Sequence, residues 1–476
     1  MKTALGEELL RKQPLRISRF CHRFTKNGVV AWYHSLRLKP IFISKTLSDL
    51  LLAYENGQTT ELFLKKLPAN QQENGKKIVG NLYAAEMLME VQDDELNKLR
   101  QLKQKFLGEP AIGVLYLLLN DGCNFRCTYC FIENSLPPGY HFSTMSKETA
   151  RRSLDLYSRV LLKGVGRKTI IFYGGEPLIN LGALQFCLKY IRELKDKGLL
   201  PENLATTINT NGSLVTEEVV SLFHEHNVAV SVSLDGPKEI HDQCRRTTNN
   251  QGTFGQAIRG FQLLKDGKVN VGVSCTIGDH NLDQLPQIVE WLISDLGINF
   301  LGLNPLTDLP GKPLSSESYI KKFSEASIQC FLIARKYGLY EDRMMRKVEA
   351  FVKHEVYPFD CAGCGRQLVI APDGKVGVCH AYTGTREYFS ETELSKLNPA
   401  QEAIWQEWCK RSPLGMPQCV GCPALGICGG GCPYNAQLNF GSIWCRDSYF
   451  CIYAQRILKW LIWDVYEQAQ KQKVAP

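Results

Sequence analysis

Between Gly113 and Leu306 the chain alternates six times between a short apolar run and a longer amphipathic one, and this alternation limits the fold more than any other feature. The apolar runs lie near Gly113 to Leu119, Thr169 to Gly174, Ala205 to Asn209, Val228 to Leu234, Asn270 to Thr276 and Asn299 to Leu303. Runs of this length separated by helical periodicity read as strands joined by helices. Parallel neighbours need a crossover that a helix supplies, so six repeats predict a parallel sheet. Residues able to do chemistry follow nearly every run, as they do at the C-terminal ends of barrel strands, so the expected α/β fold is a curled partial (β/α)6 barrel and not a flat sheet.

The flanks read differently. From Gly28 to Val91 two strand-like pieces, Val29 to Trp32 and Pro40 to Ile43, precede helical stretches around Leu47 to Glu55, Thr60 to Leu64 and Ile78 to Met89, a pattern that predicts a small winged-helix-like domain. Gln92 to Lys105 is polar and reads as a solvated helix or linker. From about Tyr357 to Tyr453 glycine, proline and cysteine rise together, which predicts a metal-organised domain, closed by a helix from roughly Phe450 to Gln470. The expected division is 1–92, a linker 93–112, the barrel 113–310, a helical bridge 311–356 and the cysteine-rich domain 357–476.

No apolar run approaches a membrane span, Gly113 to Leu119 being typical of the longest. The first 26 residues are basic, with Arg11, Lys12, Arg16, Arg19, Arg23 and Lys26, but they include Glu7 and Glu8 and lack an apolar core, so no secretion signal is read. Cytoplasmic location without membrane attachment is the expectation. The net charge of +8 is spread along the chain and suits an acidic partner without arguing for nucleic acid. Eighteen cysteines cluster at short spacings, which points to metal ligation in a reducing compartment instead of disulfides.

CNFRCTYC is the decisive cluster, with Cys123, Cys127 and Cys130 just after the first strand. Three thiolates on one loop bind three corners of a [4Fe-4S] cube and leave the fourth iron open. A zinc knuckle would need a fourth ligand, and none stands nearby in sequence. Two later groups are CAGCGRQLVIAPDGKVGVC, with Cys361, Cys364 and Cys379, and CVGCPALGICGGGC, with Cys419, Cys422, Cys428 and Cys432; Cys445 and Cys451 follow. Gly374 marks the tip of a predicted hairpin at Pro372-Asp373-Gly374. Zinc is the alternative occupant of these later groups. Cys21, Cys187, Cys244, Cys275, Cys330 and Cys409 are left over and read as small core residues.

With these residues and the six repeats, the chain resembles the radical S-adenosylmethionine (SAM) superfamily. The resemblance implies that Cys123, Cys127 and Cys130 hold a cluster whose open iron chelates the methionine moiety of SAM, and that reductive cleavage yields a 5'-deoxyadenosyl radical, chemistry that belongs to the cofactor. It also implies that Tyr129 lies against the adenine, and that FYGGEP, with Gly174, Gly175 and Glu176, holds the methionine amino group by its backbone. INTNG, with Asn209 and Asn211, and SLDGP, with Ser233 and Asp235, would supply cofactor contacts, the serine and aspartate to ribose or carboxylate oxygens. Arg245 is a candidate partner for the cofactor carboxylate, with Arg246 its rival.

The C-terminal cysteines resemble the SPASM domain of peptide and sulfatase maturases, which implies two auxiliary [4Fe-4S] clusters, three in all. By that resemblance Cys361, Cys364, Cys379 and Cys432 bind one, and Cys419, Cys422, Cys428 and Cys451 the other, with Cys445 competing for the last place. In sulfatase-maturing relatives an aspartate base follows the cysteine at the position of Cys379; here the residue is His380. The region GVVAWYHSLRLKPIFISKTLSDLLLAYENGQTTELFLKKL resembles winged-helix leader-peptide recognition domains, which take a peptide as an added strand. The expected activity is therefore hydrogen abstraction from a residue of a ribosomally made precursor peptide bound by its leader, giving a cross-link, an epimerised residue or an excised fragment. The expected partners are that peptide, an electron donor such as flavodoxin or ferredoxin, and a small accessory protein, with no nucleic acid and no membrane. Modification of a folded protein, as in sulfatase maturation, or of a small metabolite is the second reading, and a non-catalytic peptide chaperone the third.

Overall fold

The computed structural model describes residues 13–474 except 135, 137, 138, 163–165, 167 and 310–315. Glu7, Glu8, Arg11, Lys12 and the expected boundary at 310 lie outside them.

The N-terminal region begins with β1 (Pro14–Ile17), β2 (Cys21–Lys26), β3 (Val29–His34) and β4 (Lys39–Ser44). Strands β2, β3 and β4 form an antiparallel sheet. The β2–β3 turn is Asn27-Gly28, both left-handed (φ 48° and 75°), the pair a two-residue hairpin favours. After the helix Lys45–Leu51, β5 (Gln58–Thr59) and the later β6 (Leu88–Glu90) flank β1 in a second antiparallel sheet. The helix expected over Ile78 to Met89 instead spans Ala69–Ala84. The chain reverses at Glu86 (φ 59°), and Leu88 then pairs with Ile17.

Strand β3 buries both faces, because successive side chains alternate. Trp32 enters a core of its own with Tyr54, Phe63, Val79 and Leu82, its indole N–H donating to Ser48 Oγ at 2.9 Å. Tyr33 points the other way and stacks on Phe351, ring centroids 6.0 Å apart. Phe20 and Leu36 pack with Leu414 and Leu425 of the C-terminal region. The N-terminal region is thus welded to the rest of the chain through apolar contact.

The six expected strands are present: β7 (Val114–Asn120), β8 (Thr169–Gly174), β9 (Ala205–Thr210), β10 (Ala229–Ser233), β11 (Val271–Ile277) and β12 (Phe300–Pro305). They lie side by side in chain order, every pair parallel. Leu115, Leu117, Leu118 and Leu119 of β7 are fully buried, each contributing roughly 1.5–3 kcal/mol of apolar burial. The sheet is wider than six strands. β13 (Tyr340–Glu341) joins β12, and β14 (Gln367–Ile370) pairs parallel with β7, continuing antiparallel through β15 (Val376–Gly377) and β16 (Phe389–Ser390). The β14–β15 turn has Gly374 at φ 85°, where the hairpin was expected. The cysteine-rich region therefore shares the barrel's sheet, and the boundary at 357 separates no two layers.

The closing helix spans Ser448–Val474 and packs on the helix Glu317–Tyr337, with Phe331 edge-on to Trp460 at 5.6 Å. Among the described residues no helix is long and apolar enough to cross a membrane.

Candidate functional site

Strand β7 ends at Asn120, and the loop that follows carries Cys123, Cys127 and Cys130 into the short helix Phe131–Asn134. Backbone bonds hold this loop from two sides. On one, the amides of Arg126 and Thr128 donate to the carbonyls of Arg246 and Cys244 at 2.6 and 3.0 Å. On the other, the amides of Gly175 and Glu176 donate to Asn120 O and Gly122 O at 3.1 and 3.0 Å. A Cβ at Gly174 would lie 2.0 Å from Asn120 O, and one at Gly175 2.0 Å from Gly122 O, so only glycine lets the two loops touch. The glycine pair thus packs against the cysteine loop.

Glu176 is buried and accepts three bonds, from Thr210 Oγ1 at 2.8 Å, Asn211 N at 2.7 Å and Leu178 N at 3.1 Å. Burial nonetheless pushes its carboxyl up to about 7 against the pull of those donors. Asn211 in turn donates to Asn124 Oδ1 at 2.9 Å, tying the third strand end to the loop. Burial, then Glu176 and the neighbouring Cys127 and Cys130 thiols, push Cys123 up to about 12.

Asp235 is the hub of the site and wholly buried. Arg245 grips it with two bonds, Nε to Oδ2 at 3.0 Å and Nη2 to Oδ1 at 3.1 Å; Thr276 N donates to Oδ1 at 3.0 Å and the Tyr129 hydroxyl donates to Oδ2. Arg245 lies over the Tyr129 ring at 5.5 Å, and His280 stacks on its other side at 5.8 Å. Although burial opposes ionisation, Arg245 and His280 hold the Asp235 carboxyl well below the usual carboxylate range. Burial likewise resists the charging of His280, yet Asp235 and Cys244 raise it to about 9. Arg246 faces elsewhere, donating to Asp242 O and Asn250 Oδ1 at 3.0 and 2.8 Å. Ser233, at the end of β10, pairs with Ser274 of β11.

Cys244 is more than a core residue. It adds to the electrostatic load on Cys127 and stands beside His280 and Thr128, which lower its pKa against burial. A fourth thiol thus lies near the loop in space, although the sequence alone hides it.

Electrostatic contacts link the C-terminal thiols to one another. Cys361, Cys364, Cys379 and Cys432 raise one another's pKa, burial being the larger cause throughout. Cys451 feels Cys419 and Cys422, and Cys428 feels Cys451 and Cys422, again behind burial. Cys445 turns its thiol to Phe440 O at 3.2 Å. Among the described residues no group of three His, Cys, Asp or Glu side chains is set to hold a single metal ion. Thiols of this number and softness would suit multi-iron clusters.

A cavity of about 1210 Å³ runs along the bore of the sheet. One wall carries Thr207, Asn209, Ser231, Ser274 and Asn304, and the other carries Cys361, Cys379, His380 and Cys432. Tyr129, Asp235 and Arg245 are absent from its lining; His380 makes the connection, packing on Phe131 of the cysteine loop at 5.4 Å and on Tyr116 and Tyr173 at 4.9 and 5.2 Å. Its Nδ1 is buried without a partner, and burial pushes its pKa down to about 4, so the ring is neutral. Sequence reasoning missed His280 and Thr276; the position of TIGDH after the fifth strand was the available signal.

Residues 117–292 match the radical SAM superfamily and form a radical SAM domain. Over 345 residues the chain is 25% identical to the cysteine-type anaerobic sulfatase-maturating enzyme of Clostridium perfringens, covering 68% of this chain and 89% of that protein. The structure of native anSMEcpe with bound AdoMet superposes with a TM-score of 0.63 at 19% identity, covering 75% of this chain and 99% of that one. Streptococcus suis SuiB bound to the precursor peptide SuiA superposes with a TM-score of 0.50 at 16% identity, covering 91% of this chain and 99% of SuiB. The chain thus carries a radical SAM domain and has the fold of these structures.

Proposed function

We propose that this chain is a maturase that cleaves SAM reductively and abstracts hydrogen from a residue of a ribosomally made precursor peptide, leading to a cross-link, an epimerised residue or backbone excision. One observation carries the reading: three half-buried cysteines stand on one loop at the C-terminal edge of a parallel barrel, near a bore lined in part by the cysteine-rich region. An open-iron [4Fe-4S] cluster with SAM supplies the 5'-deoxyadenosyl radical when bound. The chain's own residues position it. Cys123, Cys127 and Cys130 ligate; Gly174, Gly175, Glu176 and Asn211 fix the loop; Asp235 and Arg245 fix Tyr129; Asn209 and Ser233 offer polar contacts at the strand ends.

In this reading Cys361, Cys364, Cys379 and Cys432 hold one auxiliary cluster, and Cys419, Cys422, Cys428 and Cys451 the second. The coupling of the thiols within each set supports the division, and the turn of Cys445 toward Phe440 favours Cys451.

A peptide substrate is favoured over a folded protein by the N-terminal region. SuiB covers 91% of this chain, a share that cannot be reached without part of the first 92 residues. We read that region as the leader-binding module, and a flavodoxin or ferredoxin as electron donor. The sulfatase-type relative favours a protein substrate, but His380 stands where the resemblance to sulfatase maturases implies an aspartate. Formation of 5'-deoxyadenosine under anaerobic reducing conditions, and transfer of hydrogen to it from the peptide, tests the proposal.

A further inference from the structure

Three cationic side chains are buried among the described residues: Arg245, Lys347 and Arg411. Two have a carboxylate against them. Arg245 lies 3.0 Å from Asp235, and Lys347 lies 2.6 Å from Asp360. Arg411, fully buried, has only neutral acceptors, Gly430 O at 2.9 Å from Nη1 and Ile443 O at Nε. Its Nη2 is buried with no hydrogen-bond partner. Asp447 is within electrostatic reach but turns its oxygens to the amides of Cys432 and Phe450, each at 3.1 Å. A buried guanidinium without counter-charge costs several kcal/mol, so the sequence retains it against stability unless something negative completes it.

Sulfur stands nearby. Gly430, whose carbonyl Nη1 holds, donates its amide to Cys428 Sγ at 3.4 Å and stands two residues before Cys432. Gly429, Gly430 and Gly431 carry the chain from Cys428 of one set to Cys432 of the other in three left-handed steps (φ 74°, 92° and 67°). The carbonyl in the middle of that turn is the one Nη1 holds. Arg411 therefore sits where the two sets meet.

We propose that Arg411 is the counter-charge of the auxiliary clusters, a guanidinium placed to be neutralised by ligated cysteinates, with its free Nη2 donor available to cluster sulfur. The inference rests on the reading of these two sets as cluster ligands. It makes Arg411 a positioning residue. A cation and an N–H donor beside cluster sulfur favour the more negative, reduced state, and so raise the reduction potential. They also tie loading to stability, because in the apo chain no carboxylate among the described residues bonds the buried guanidinium, Asp447 being turned to two amides.

The test uses the full chain with Cys123, Cys127 and Cys130 replaced by Ala, so that only auxiliary clusters are seen. Iron content, dithionite titration followed by electron paramagnetic resonance, and thermal unfolding of apo and loaded protein are measured for this background and for added Arg411→Met and Arg411→Lys. Arg411→Met should make reduction at least tenfold less favourable, about 59 mV for a one-electron couple. It should also shrink the gain in stability on loading without lowering apo stability. Arg411→Lys, which keeps the charge, should hold the potential near that of the background. If Arg411→Met does not fold, Arg411→Gln is the neutral variant, with the same shift expected. Equal potentials and equal gains on loading in neutral and charged variants would overturn the inference while leaving the cluster assignment intact. A background protein that takes up no iron would overturn the assignment itself, and the inference with it.

Discussion

Arg245 holds Asp235 through two parallel bonds of 3.0 and 3.1 Å inside a site that water does not reach, and Tyr129, one residue before Cys130, hangs from the same carboxylate. The pair fixes the aromatic ring beside the cysteine loop. Asp235→Asn leaves Arg245 buried without a counter-charge, a loss on the order of 3–5 kcal/mol. Because the folded carboxyl sits below its usual range, the stability it adds is complete above about pH 4 and fades as pH falls below that. Melting curves of wild type and Asp235→Asn should differ most at neutral pH and converge in acid. Equal melting temperatures at pH 7 would show that the pair is dispensable.

Gly175 tests the contact between the second strand end and the cysteine loop. Its φ is not in the left-handed region, so Gly175→Ala acts through the 2.0 Å approach to Gly122 O alone. The backbone of the loop must shift, and cluster retention at Cys123, Cys127 and Cys130 should fall with it. Iron content after anaerobic reconstitution checks this; unchanged iron and unchanged 5'-deoxyadenosine formation would remove the contact from the account.

Reconstituted wild-type protein should hold about twelve irons and twelve sulfides, three cubes of four. Replacing Cys123, Cys127 and Cys130 by Ala should leave about eight of each and abolish SAM cleavage. Cys451→Ala should lose about four more irons than Cys445→Ala, whose thiol faces Phe440 O. The reverse order would exchange the two residues' roles.

Leader dependence is best tested from the substrate side. Removing residues 1–92 would strip Phe20, Leu36 and Tyr33 from Leu414, Leu425 and Phe351, and so damage the remainder. Strand addition raises the local concentration of the core peptide without changing cofactor chemistry. Below saturation, a leaderless peptide should give a much lower ratio of modified peptide to 5'-deoxyadenosine than the full precursor. An unchanged ratio would make the N-terminal region structural.

The barrel was legible because β7 and β8 are near-continuous apolar runs and the later strands alternate apolar with small polar residues, with amphipathic helices between them, so β7 to β12 fall within a residue or two of their expected places. The strands that sequence misses are those with little periodicity to show. CHRFTK of β2 is held by its turn and by β3, and two-residue β13 forms against the free edge of β12. Site residues at strand ends were legible by position, including Asp235 and Arg245. Their pairing with each other was not, since it depends on the angle at which the helix Lys238–Cys244 returns to the sheet. Arg411 gave no signal, because nothing local in RSPLG tells a buried arginine from an exposed one.

The central claim is that a radical made at the Cys123, Cys127 and Cys130 site takes hydrogen from a peptide. The most direct measurement is mass spectrometry of the 5'-deoxyadenosine formed anaerobically with SAM, reductant and a precursor peptide deuterated in its core. The 5'-deoxyadenosine should carry deuterium from the peptide, and both product and label should be lost when the three cysteines are replaced by Ala. Cleavage that persists without those cysteines, or 5'-deoxyadenosine that never gains peptide deuterium while the peptide is modified, would contradict it.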